Sequence, residues 1–143
     1  MSILELETRE RKNLKSARNY LLASLFCAFF GAVYEAFSHG VYSYFMVYAF
    51  AFPLALGTLP EILCGLRGAE APPIPARLWG AGVATLTVGS IFRGILDIYG
   101  TSSPLSLVYW IVGGLLALSG AGLLLLPRAL TGLLKSRCFF ARS

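Results

Sequence analysis

Hydrophobic residues fill this chain in four long blocks and do not alternate with polar ones. The blocks run from Asn19 to Phe37, Ser43 to Leu66, Leu78 to Tyr99 and Leu105 to Leu126. Each is close to the ~20 residues with which a helix crosses the roughly 30 Å hydrocarbon layer of a bilayer. Polar residues gather in the arm before the first block, in "RGAEAPPIPAR" between the second and third, and after the fourth. The pattern predicts an all-α integral membrane protein with four transmembrane helices. Three parts follow: an arm over 1–18 that forms a surface helix, a bundle over 19–126 with a linker at 67–77, and a tail over 127–143.

The ends of the blocks carry local signals. The arm places Glu5 before Arg9 and Glu7 before Arg11 at i,i+4, a spacing that supports a helix running into the first span. The proline-rich linker is expected to be extended. Ser102 or Ser103 ahead of Pro104 predicts the start of the fourth helix. Pro53 and Pro60 each free a carbonyl in the second span and predict a kink there. Beyond Pro127, Leu130, Leu133, Leu134 and Cys138 share one face, which predicts an interfacial amphipathic helix.

Charge then sets the orientation. Five basic residues lie in the arm (Arg9, Arg11, Lys12, Lys15 and Arg18), Arg67 and Arg77 flank the linker, and Arg128, Lys135, Arg137 and Arg142 lie in the tail. The connections "SHGVYS" and "GTSSPLS" carry none. By the positive-inside rule both termini are cytoplasmic, and a bacterial cytoplasmic membrane is the expected location. Tyr42, Tyr44, Tyr99, Tyr109 and Trp110 then fall near the outer face and Trp79 near the inner one. The remaining aromatics of "VYSYFMVYAFAF" are expected to contact lipid.

Composition agrees. The chain of 143 residues is 57% hydrophobic and 13% charged. A soluble domain of that size lacks the interior to hide so much apolar surface. The formal net charge of +5 sits beside apolar segments and not on a basic, aromatic-studded face, so nucleic acid is not an expected partner. The bilayer is, together with a second copy or a larger membrane protein. Cys27, Cys64 and Cys138 form no CxxC pair, and they are read as free thiols. No nucleophile motif, metal-ligand cluster or paired-histidine haem site is present, so no enzyme activity and no cofactor are expected.

Two internal patterns bear on function. "GAVYEAFSH" (31–39) aligns with "GSIFRGILD" (89–97) at a constant offset of 58, and "LALG" (54–57) resembles "LALS" (116–119) once about four residues are allowed for a longer outer loop. This suggests a duplicated two-helix hairpin, a parallel repeat with its axis along the membrane normal. Secondly, Ala23, Cys27, Gly31, Glu35 and His39 follow one another at i+4, as do Ala81, Thr85, Gly89, Arg93 and Asp97. Small residues at that spacing let helices approach closely in lipid. The first and third helices are therefore expected to cross, bringing Glu35, His39, Arg93 and Asp97 together in the outer half. Gly113, Ala117 and Ala121 predict a further close contact for the fourth helix.

A charge at mid-span costs roughly 2.5–3.5 kcal/mol, so such groups face protein or water and often mark function. Arg93 lies about 22 Å into a core of about 30 Å. The bland interpretation is an ion-pair cluster, Arg93 with Asp97 on its own helix and with Glu35 across to the first. The functional one makes Glu35, His39, Arg93 and Asp97 a ligand-binding site open to the outside. Arg93 would meet an anionic group, and the others would tune charge and protonation. Transport or small-ligand binding is the expectation, against the alternative of a non-catalytic accessory subunit of a larger membrane complex. Glu61 is expected at the inner interface near Arg67 or Arg77.

Overall fold

The computed structural model describes residues 3–67 and 72–140, with side chains to residue 125 except that of Leu6. All regular structure among them is helical: α1 (Ile3–Phe37), α2 (Tyr44–Val47), a π-helical segment (Phe52–Thr58), α3 (Leu59–Leu66), α4 (Pro73–Ile98) and α5 (Leu105–Phe140). Four stretches are long and apolar enough to cross a membrane: Ile3–Phe37, Tyr44–Leu66, Pro73–Ile98 and Leu105–Leu125.

Arm and first span are one uninterrupted helix of 35 residues, about 52 Å long. That exceeds a hydrocarbon layer by about four turns of charged sequence. The arm is not left to solvent. Asn13 and Ala17 are buried, and the Ser16 hydroxyl donates to Glu61 Oε1 on α3 at 2.9 Å. The linker prediction is corrected at its second half. Pro72 is extended, with φ −55° and ψ 144°, but α4 begins at Pro73. A proline in the first turn loses nothing, because the first N–H groups of a helix have no partner within it. At the start of α5, Ser103 Oγ accepts from Leu105 N at 3.3 Å, as its place before Pro104 suggests. The backbone of α5 stays helical through Pro127 to Phe140, and the apolar face expected beyond residue 127 lies outside the described side chains.

The second span departs furthest from a plain helix. α2 ends after one turn, residues 48–50 form turns, and the chain then takes up π-helical winding before α3. Pro53 and Pro60 explain part of this, since neither offers an N–H to the carbonyl four residues back. The freed oxygens are met by neighbours. Trp79 Nε1 donates to the Leu56 carbonyl at 2.7 Å, in the place of the N–H that Pro60 lacks. Ala49 N turns to Met46 O, and the Phe45 carbonyl accepts from Ser90 Oγ at 2.6 Å. Ser24 Oγ donates to Phe50 O at 3.0 Å, and Thr58 Oγ1 to Pro53 O at 3.3 Å. Irregular backbone persists inside a protein only where other groups satisfy it, and here α1, α4 and Thr58 of the second span itself supply them.

Packing order follows. α1 rests on the second span, the second span rests on α4, and α4 packs most extensively on α5. Small residues set the α4–α5 contact: a Cβ on Gly82 would fall 2.5 Å from Ala117 N, and one on Gly113 would fall 2.9 Å from Leu86 Cγ. An adjacent face of α4 meets the second span at Gly94, where a Cβ would lie 2.8 Å from Met46 N. Phe45 and Phe52 both turn their rings to Trp110, and Phe45 remains 39% exposed.

The expected crossing of the first and third helices is not found. α1 and α4 have almost no direct contact. The reason lies in the i+4 ridges, which drift about 40° per step around a helix. On α1 the ridge shares Cys27 and Gly31 with the buried seam Ala17, Ser24, Cys27, Gly31, while Ala23 and His39 rotate out to exposed positions. That seam faces the second span.

Candidate functional site

Arg93 and Asp97 form an ion pair along α4, with Arg93 Nε 3.1 Å from Asp97 Oδ1 and each side chain about one-third exposed. Both also hold the beginning of the second span. Ser43 Oγ donates to Asp97 Oδ2 at 3.2 Å, and the Arg93 guanidinium lies 5.8 Å from the centre of the Phe45 ring, a cation–π distance. Together with the Ser90 and Gly94 contacts these bonds fix α2 against α4. In this setting Arg93 is already neutralised, so an incoming anion would compete with Asp97.

Glu35 does not join them. Among the described residues no ion pair links it to Arg93, and its Oε1 is buried without a hydrogen-bond partner. His39 is displaced for a backbone reason. α1 ends at Phe37, and His39 adopts φ +55° in the turn before Gly40 at φ +88°. Histidine tolerates the left-handed region better than most residues, and the turn takes its ring off the helix face that an i+4 spacing from Glu35 assumed. Its side chain is exposed. The four predicted ligand residues thus divide into one bonded pair, one half-buried carboxylate with a buried oxygen that has no partner, and one exposed imidazole.

A different feature arises from the missing α1–α4 contact. The two helices stand apart over the second span, and three cavities occupy the gap between them. Nearest the arm, a cavity of 360 Å³ is lined by Lys12 and Ser16 of α1, Arg77 of α4 and Glu61 of α3. The next, of 290 Å³, lies between Ala23 and Cys27 on one side and Val83, Ala84 and Val88 on the other, over Pro53. At the far end a cavity of 380 Å³ runs from Phe30 and Tyr34 to Ile98 and Tyr99. Tyr20 reaches across between the first two, its ring against Gly57 and its hydroxyl against Gly80.

The sequence patterns did not reveal this gap, because each ridge was matched to the other ridge and not to the irregular span between them. A usable signal did exist. Two prolines in one apolar block signal a disturbed helix, whose open carbonyls must find donors on the helices at either side. Ser24, Trp79 and Ser90 are such donors within apolar blocks, and they mark which faces of α1 and α4 turn to the second span and which are left over.

The remaining chemistry is sparse. Among the described residues no group of three or more His, Cys, Asp or Glu side chains could hold a metal ion. Cys27 and Cys64 are free thiols, Cys27 buried. Comparison with protein-family models, with curated proteins and with solved structures finds no match to this chain.

Proposed function

We propose that this chain is a four-span membrane protein with both termini cytoplasmic, and that it binds a small ligand without catalysing a reaction. The binding surface is the gap between α1 and α4, and transport would be a use of the same surface. One observation carries the reading: three cavities in line between two helices that each pack on the second span and meet one another through little more than the Tyr20 and Tyr34 side chains. Pockets between the helices of a bundle are common ligand sites. The outer cluster of Arg93 and Asp97 serves to hold the second span in register, and the half-buried Glu35 borders the outer end of the gap through its neighbour Tyr34.

The orientation rests on the basic flanks at both ends and their absence from the two outer connections. A membrane-impermeant thiol reagent should label a cysteine placed at Tyr42 from outside intact cells and spare one placed at Arg67; the reverse pattern would overturn it. The duplicated hairpin is supported by Gly31 and Gly89, related by the offset of 58. Each presses on the second helix of its own hairpin, at Met46 and at Tyr109.

Ligand binding is tested by thermal unfolding of the purified protein against a panel of amphiphiles. A ligand that binds only the folded state raises its stability. Ala84 is exposed and lines the middle cavity, so Ala84→Trp fills the gap without disturbing the interior. At least one compound should stabilise the natural chain and not the variant. Equal responses for every compound would remove the gap as the site.

The accessory-subunit reading keeps one specific support: Arg93, Asp97, Ser43 and Phe45 form a closed set that holds helices together. A native pull-down bringing a larger membrane protein in equal amount, with no ligand effect, would favour it.

A further inference from the structure

Between its first two cavities the gap is crossed by one side chain. On α1, Ser16 borders the cavity nearest the arm and Ala23 the middle one, and Tyr20 stands on the turn between them. On α4 the order is the same, with Arg77 on the first cavity, Val83 and Ala84 on the second, and Gly80 between. Tyr20 spans this level from α1, over Gly57 of the second span, to Gly80. A Cβ on Gly57 would collide with the ring at Cδ1, Cγ and Cε1. A Cβ on Gly80 would lie 2.7 Å from the hydroxyl oxygen and 3.9 Å from the ring carbon that carries it.

Glycine inside a helix is less favourable than alanine by about 1 kcal/mol. Gly57 and Gly80 both lie in helical backbone and both face this one ring, so what they provide is room for it. The cavities on either side differ in kind. Glu61 and Arg77 border the one nearest the arm, and no charged side chain lines the middle one. The ring is carried by a single side chain, so a change of χ1 rotamer withdraws it without moving a helix.

We propose that Tyr20 is the gate between the cytoplasmic end of the gap and the ligand site. With its ring on Gly57 and Gly80, the middle cavity is closed to solutes entering past Arg77; with the ring withdrawn, the two cavities join. This rests on the gap being a ligand site and assigns the residue that controls access to it from the cytoplasm. Gly80 gives the gate a specific geometry. A methyl group there would strike the hydroxyl oxygen and leave the ring carbon at ordinary contact distance.

The test reads Cys27, a buried thiol that lines the middle cavity. Inside-out membrane vesicles holding the full chain are treated with a charged, membrane-impermeant methanethiosulfonate. Peptide mass spectrometry follows Cys27 separately from Cys64 and Cys138. In the natural chain Cys27 should react slowly. Tyr20→Ala should speed the reaction about tenfold or more, because a minor open state is about 0.1–10% populated. Tyr20→Phe should react like the natural chain, since the ring makes the closure. Gly80→Ala should speed the reaction by pushing the hydroxyl aside, and adding Tyr20→Phe to it should return the natural rate. General loss of folding would not be repaired by that second substitution. Ala84→Trp added to Tyr20→Ala should slow the reaction again by filling the middle cavity. An unchanged rate in Tyr20→Ala, no rescue of Gly80→Ala by Tyr20→Phe, or a fast rate that persists with Ala84→Trp would each overturn the gate. The ligand site is tested apart from it, by the thermal comparison of the natural chain with Ala84→Trp, in which Tyr20 is intact. If the rates alone fail, the gate falls and the ligand site remains. If the thermal comparison alone fails, the ligand reading falls and closure by Tyr20 stands.

Discussion

Ser90 shows how much a single hydroxyl can hold in this protein. It is almost completely buried, and its bond to the Phe45 carbonyl replaces the helical bond that the break after α2 removes. Ser90→Ala leaves that oxygen without a donor and should lower stability by about 1 kcal/mol. Chemical denaturation in mixed micelles would measure it, and an unchanged midpoint would mean that the break is satisfied elsewhere. Glu35 is the opposite case, since its Oε1 is buried and has no hydrogen-bond partner. Glu35→Leu should therefore raise stability, by about 1 kcal/mol, in the same experiment; a loss would show that the carboxylate has a partner that matters. Arg93 and Asp97 are legible from the sequence because i,i+4 geometry holds within any unbroken helix. Glu35 and His39 were not, because the end of α1 at Phe37 depends on the turn through His39 and Gly40.

At the scale of elements, α1, α4 and α5 could be read from the sequence and the second span could not. Long apolar blocks bounded by charge specify a span whatever packs against it. The break at residues 48–50 and the π-helical winding that follows depend on donors from Ser24, Trp79 and Ser90, which are distant in the sequence. Small residues were informative about closeness and less so about partners. Gly113 and Ala117 do make the contact expected of the fourth helix, and they make it with α4. This gives a paired prediction. Gly82→Ala must push against the Ala117 backbone and should destabilise by about 1–3 kcal/mol. Gly114→Ala points into open space and should be neutral or gain up to about 1 kcal/mol from helix propensity. Matching losses at both positions would contradict the assigned face of α5.

For the whole molecule, the arrangement is sequential: α1 on the second span, the second span on α4, and α4 on α5. The chain of contacts leaves α1 joined to the rest mainly through the second span, with Tyr20 reaching to Gly80 and Tyr34 to Tyr99, and the gap beside α4 is the consequence. The central claim is that a small amphiphile occupies this gap. Photo-crosslinking in native membranes tests it most directly, using benzoylphenylalanine at Val88, which lines the middle cavity and is half exposed. The same group at Leu118, 72% exposed on α5, reports the surrounding lipid. The account predicts a small-molecule adduct at Val88 enriched in one amphiphile relative to Leu118, and lost with Ala84→Trp. Adducts of identical composition at the two sites, a crosslink from Val88 to α1 of the same chain, or one to another polypeptide would contradict it.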